Sequence, residues 1–169
     1  MAVPDADAVA VSDDWLAIRR RSDGRDRLQV RLIGEDGGIG ESRSVASASE
    51  NAQIGRPSVG GDRIAYAVAS RSKNKLVIYR PGTRKRNTVL RSRKAALSNP
   101  SVYGKAMLYV RTERKHDELR IKKLKRRGRD RRIDKSSKRM WSTALGKERA
   151  YVTMLAGTKP ASRVVSFRR

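Results

Sequence analysis

The sequence predicts an all-β fold made of four consecutive repeats, each a four-stranded antiparallel meander, and three observations predict it. The first is a 43-residue period: Arg56-Pro57-Ser58-Val59 lies over Asn99-Pro100-Ser101-Val102, and the same offset carries Gly61 to Gly104, Ile64 to Met107, Tyr66 to Tyr109, Leu76 to Leu119 and Leu90 to Ile133. The second is the texture of each copy, in which short β-branched and aromatic runs are separated by Gly, Asn, Asp and Ser. The third is that four strands in about 43 residues, repeated radially, is the size and composition of a β-propeller blade. The only stretch that suggests a helical period is Asp117 to Lys125, so a helical solenoid is disfavoured.

The strands follow in order. Strand A is read at Ala8 to Val11, Pro57 to Val59, Pro100 to Val102 and Ser142 to Leu145. Its prolines stand at the first position, where no ladder N–H is required. Strand B, Ile64 to Ala69 and Met107 to Val110, is apolar on successive residues, as a strand covered on both faces must be. Strand C alternates through Leu28, Val30 and Leu32, through Leu76 and Ile78, and through Leu119 and Ile121, which predicts a half-exposed strand. Strand D, Thr88 to Leu90 and Arg131 to Ile133, is short and polar, as an outer edge should be. The fourth copy aligns on Gly146, then Ala150-Tyr151-Val152 and Val164-Val165-Ser166-Phe167, with its extra residues in the Gly157 to Pro160 loop. We expect one propeller-like domain over 1–169, with blades at 8–48, 56–96, 99–139 and 142–169. The small polar stretch Ser42 to Gln53 resembles a linker, but the repeat runs through it.

These residues also resemble a known family. Pro-Ser-Val-x-Gly-x-x-Ile-Ala-Tyr, a polar turn and Leu-Val-Ile-Tyr are similar to the TolB-type, WD-like β-propeller repeat of bacterial cell-envelope proteins. The resemblance spans nearly the whole chain and rests on core and turn positions. It implies a propeller of six or more blades, a signal peptide and an envelope or periplasmic location. The sequence departs from that pattern: it holds four copies, and Met1 to Trp15 is acidic, unlike a signal peptide. The fourth copy ends after strand C. A four-bladed ring with a short last blade, an open arc and a segment of a longer propeller all remain open, and the last is the expectation. An open arc would expose apolar strand surface and favour self-association.

Composition removes several functions. There are no cysteines and one histidine in 169 residues, which leaves no disulfide framework, thiolate site or histidine triad. No apolar run approaches the roughly 18 residues of a membrane-spanning helix. The acids are scattered: Asp13-Asp14 form a close pair, but later copies carry Gly61-Asp62, Gly104-Lys105 and Gly146-Lys147 there, so nothing converges as acid–base catalysis needs. Ser22-Asp23-Gly24 reads as a plain turn, and His116 as a solvated loop residue. We expect no catalytic residue, cofactor or metal.

The net charge of +24 is uneven. Residues 1–50 carry ten acids and seven cations, whereas the remainder carries seven acids and thirty-four cations. Leu, Ile, Val and Phe make up only 34 of 169 residues, near the border of disorder, yet they fall on the repeat positions. The densest positive charge is in the C–D segments of the second copy, Arg80, Arg84, Lys85 and Arg86, and of the third, Lys122, Lys123, Lys125, Arg126, Arg127, Arg129, Arg131 and Arg132, where Asp130 is the only acid. Adjacent blades would place both groups on one face. Such a face attracts polyanions, whether nucleic acid, lipid head groups or wall polymers. No aromatic stands among these cations to stack a base, and exposed loops are charged in any case. The expected function is therefore a non-enzymatic propeller module that presents loops to a protein partner. The alternative is an electrostatic binder of nucleic acid or an envelope polyanion, without sequence specificity.

Overall fold

In a computed structural model, residues 6–125, 127–156 and 159–167 are described, and among them every regular element is a β-strand. Four antiparallel sheets stand radially as the blades of a β-propeller. Blade 1 holds β1 (Ala6–Val11), β2 (Trp15–Ser22), β3 (Arg25–Leu32) and β4 (Arg43–Ser47). Blade 2 holds β5 (Ala52–Ile54), β6 (Ser58–Gly60), β7 (Arg63–Ser70), β8 (Asn74–Arg80) and β9 (Lys85–Ser92). Blade 3 holds β10 (Ala96–Tyr103), β11 (Ala106–Thr112), β12 (Asp117–Lys123) and β13 (Asp130–Ser136). Blade 4 holds β14 (Arg139–Leu145), β15 (Arg149–Ala156) and β16 (Lys159–Ser166), three strands among the described residues.

The core is divided among the blade interfaces. The alternation of a strand sends successive side chains to opposite faces, and in blade 2 both faces are covered. Ile64, Tyr66, Val77 and Tyr79 pack toward blade 1 with Ala17, Leu28 and Val30. Ala65, Ala67, Leu76 and Ile78 pack toward blade 3 with Met107 and Tyr109. Ala106, Leu108, Val110 and Leu119 then meet Ala150, Val152 and Met154 of blade 4. Strand C is thus more buried than its alternation suggests: four successive residues of β8, Leu76 to Tyr79, are buried. Each large apolar side chain so enclosed contributes about 1.5–3 kcal/mol.

Three local readings need correction. The innermost strands start earlier than their prolines. Pro57 sits in the break between β5 and β6, and Pro100 lies inside β10 where the register shifts between Ser98 and Ser101, with Asn99 at φ 47°. A bulge is one of the few strand sites that tolerates proline. Strand D is longer than expected, at Lys85–Ser92 and Asp130–Ser136, and blade 1 takes its own from the linker-like stretch as Arg43–Ser47. Finally, the fourth copy is offset by one residue. Gly146 pairs with Arg149, so the turn tip is Lys147-Glu148 and not Gly146-Lys147. A one-residue slip reverses the face of every side chain. Ala150 and Val152 therefore take the inward positions, and Tyr151 is left 46% exposed.

Among the described residues no β-ladder joins one blade to the next, so the inner backbone donors at a seam need other acceptors. Side chains at repeated positions supply them. Asp26, at the start of β3, accepts from the Ile54 N–H at 2.7 Å, and Asp117, at the start of β12, accepts from the Met140 N–H at 2.7 Å. Both carboxylates are buried, and Asp117 also takes the Arg139 guanidinium at 2.9 Å. The serine of each Pro-Ser-Val does the same nearer the axis. Ser58 Oγ accepts from the Val102 N–H at 3.2 Å, and Ser101 Oγ accepts from the Leu145 N–H at 2.9 Å. Gly60 lies at this seam, where a Cβ would collide with the Val102 carbonyl, so no larger residue fits.

Replacing Asp117 with Ala should lower stability by about 1–3 kcal/mol, because the Met140 N–H would be buried without an acceptor. Urea unfolding measures this. A midpoint equal to that of the parent would mean that the carboxylate does not hold blades 3 and 4.

Candidate basic cleft between blades 2 and 3

The predicted cations do not all gather in one place. Arg80 of β8 and Lys122, Lys123, Lys125 and Arg127 of β12 and the following turn line one cleft of about 340 Å³ at the seam of blades 2 and 3. Ile78, Val89 and Leu124 form apolar parts of its wall, and no acid lines it. The turn is held in shape by its own backbone. Leu124 N–H donates to the Lys105 carbonyl at 2.8 Å, Lys123 N–H donates to the Arg129 carbonyl at 3.0 Å, and Lys122 Nζ donates to the Gly128 carbonyl at 3.1 Å. Gly128 has to be glycine, because a Cβ there would overlap the Lys123 carbonyl. Lys123, Lys125 and Arg127 are exposed, and neither they nor Arg80 make an ion pair among the described residues.

A second group points elsewhere. Arg86 turns toward blade 1 and donates to the Val45 carbonyl at 3.2 Å, and it lies beside Tyr66, whose phenol pKa is raised by burial. Arg132 is engaged by Glu118 at 3.3 Å. Arg84 and Lys85 are exposed at the blade 2 turn but do not line the cleft. Lys85 and Arg86 already belong to β9, and Arg131 and Arg132 to β13, so the turns are shorter than their sequences suggest. Arg131 lines a smaller recess of about 270 Å³ with Lys105, Lys123 and Lys125. Arg129 is exposed beyond it. Arg126 lies outside the described residues.

Two cations come from turns that sequence reasoning did not select. Arg63 opens β7 and lines the cleft, where it donates to the Gly104 carbonyl of blade 3 at 2.9 Å and pairs with Asp62 at 2.8 Å. Lys105 is at the tip between β10 and β11. A–B and C–D turns share one face of a meander, so this contribution was available from the topology.

Asp130 does not neutralise the cleft. It is turned into blade 3, where Tyr109 Oη donates to it at 2.7 Å and Arg120 at 3.2 Å. Burial, and next the bond to Asp130, hold the Tyr109 phenol far above its ordinary pKa. Arg120 also reaches Glu118 at 2.8 Å. Burial alone would raise the Glu118 pKa, but Arg120 and Arg132 outweigh it and hold the carboxyl below its ordinary value. His116 belongs to this network: its Nε2 lies 3.7 Å from Glu118 and its side chain is 25% exposed, which is more enclosed than a solvated loop residue.

Near the axis, the irregular points of the inner strands bring Arg56 and Trp141 together, the guanidinium 5.8 Å from the ring centre. Trp141 is 54% exposed. Asp13 and Asp14 are exposed at their turn tip, and Asp23 and Gly24, with φ of 52° and 72°, form the hairpin turn predicted for them. Among the described residues, no three His, Asp or Glu side chains cluster closely enough to hold a metal ion. No helix among them is long and apolar enough to cross a membrane.

No protein-family profile and no curated protein sequence matches this chain. Solved structures do. TolB from Acinetobacter baumannii superposes with a TM-score of 0.72 at 18% identity, over 91% of this chain and 39% of that one. A puromycin hydrolase gives 0.67 at 14% identity, over 92% and 26%. A chain of the mitotic checkpoint complex gives 0.63 at 10% identity, over 98% and 49%. These identities establish the β-propeller fold alone, and the chain spans less than half the length of each.

Glu118 makes a prediction about acid. Because its folded pKa is depressed, its contribution to stability is complete above the ordinary glutamate value of about 4.3 and is lost as pH falls through the lower folded value. Glu118→Gln should lower the urea midpoint at neutral pH and flatten this part of the acid dependence. Parallel curves for parent and variant would remove Glu118 from the blade 3 network.

Proposed function

We propose that the chain is a non-catalytic propeller module that presents the turn face of blades 2 and 3 to a protein partner. The observation that carries this is the cleft at their seam, where cations without ion partners stand on a fixed frame beside apolar Ile78, Val89 and Leu124. A protein segment with acidic and apolar side chains can use both features, as charged steering with an apolar centre is common at interfaces. That propellers of this fold occur in a protein complex supports the class of role. The hydrolase among the structural neighbours does not transfer its activity, because the likeness is one of fold.

A second reading has one specific observation in its favour. Arg80, Lys122, Lys123, Lys125 and Arg127 gather without a lining acid, as phosphate backbones require. Against it, no aromatic lines the cleft to stack a base.

The variant Lys123→Ser/Lys125→Ser/Arg127→Ser separates the readings. With the parent, a discrete protein should co-purify in about 0.15 M salt, and the variant should lose it. Labelled single-stranded RNA should bind the parent weakly, with affinity falling steeply as salt rises. Micromolar RNA binding in that salt, lost in the variant and unaccompanied by any captured protein, would put the polyanion reading first.

A further inference from the structure

A second basic cleft lies between blades 1 and 2, apart from the one above. It encloses about 700 Å³ and contains no lining acid. Lys73, Lys75, Arg91 and Arg93 supply cations from blade 2, and the segment Ser47 to Ala52 forms the opposing wall with Ser47 and Ser49. All four cations are exposed, and none makes an ion pair among the described residues. The acid nearest in sequence on that wall, Glu50, is 3.5 Å from Arg25 and does not line the cleft.

The pairing of these cations points to a ligand. Lys75 of β8 and Arg91 of β9 are directly opposite one another in the ladder. Like charges at facing positions of an antiparallel pair destabilise a sheet. Blade 3 fills the equivalent ladder position with opposite charges: Glu118 faces Lys135 across β12 and β13, and it also pairs with Arg120 and Arg132. Glu118 stands 43 residues after Lys75, one repeat on. Blade 2 thus has a like-charge pair where blade 3 has a carboxylate facing a cation. The missing negative charge is one that a bound anion would provide.

We infer that the cleft between blades 1 and 2 binds a compact, multiply charged phosphate ester or polyphosphate, with Lys75 and Arg91 on either side of the charge and Ser47 and Ser49 able to hydrogen-bond its oxygens. The volume falls in the range of small-molecule sites, about 300–1,000 Å³. Arginine and lysine suit phosphate by fork geometry and point charge respectively. Small apolar residues, Ala48, Ala52 and Val68, leave room for a modest organic portion. This site does not depend on the proposed role of the cleft between blades 2 and 3.

The test uses sodium tripolyphosphate as probe, titrated by calorimetry into the full chain in about 0.15 M salt. Binding should saturate at one equivalent and raise the thermal midpoint, as any ligand selective for the folded state does. Lys75→Gln/Arg91→Gln should weaken binding by about tenfold or more and, without the probe, should be at least as heat-stable as the parent, which also shows that it folds. Lys138→Gln/Lys147→Gln removes the same charge from exposed positions outside both clefts and should leave the affinity unchanged. Absence of saturable binding, or equal weakening in both variants, would overturn the proposal, since the latter reports net charge only.

Discussion

Everything in this fold depends on how one blade is held against the next. Within a blade the ladder satisfies the backbone, but the step from blade to blade breaks the ladder and leaves inner N–H groups facing a neighbour. A buried N–H without an acceptor costs about 1–3 kcal/mol. Asp26 and Asp117, and Ser58 and Ser101, meet these donors. Apolar packing then fills the space between, one cluster per interface. The polar contacts set the register, and the apolar contacts supply most of the stabilisation.

A frame held in this way leaves its turns free to carry charge. The cations of blade 3 that face inward are neutralised by Glu118 and Asp130. Of those at the rims of the two seams that flank blade 2, Arg63 alone makes an ion pair among the described residues, with Asp62. Unneutralised charge on a rigid support is suited to recognition, because little side-chain and loop ordering remains to be done on binding. Part of the net charge of +24 is thereby gathered in two separate clefts.

Much of the architecture was legible in the sequence. The 43-residue period, the turn residues and the paired apolar positions gave the sheets and their order. Pro-Ser-Val was visible as a repeat, yet the task of its serine appears only when two blades are placed side by side, since its partner is 44 residues away. Tyr151 was misplaced because Gly146 occupies the glycine position of earlier repeats while its turn is one residue later. The basic site was legible as composition and not as geometry. Arg86 and Arg132 sit in the same runs as the cleft residues but find a carbonyl and a carboxylate of their own. Arg63 and Lys105 join from other turns, and Lys75 and Arg91 meet only through strand pairing.

Native-state hydrogen exchange tests the role of the seams most directly, read at the amides of Ile54, Val102, Met140 and Leu145. If side-chain acceptors tie the blades into one cooperative unit, these four amides exchange as slowly as those within the central ladders, such as Leu108 and Tyr66. Exchange of the four at the rates of turn amides, while the ladders stay protected, would contradict the account, because the blades would then stand without the seam bonds.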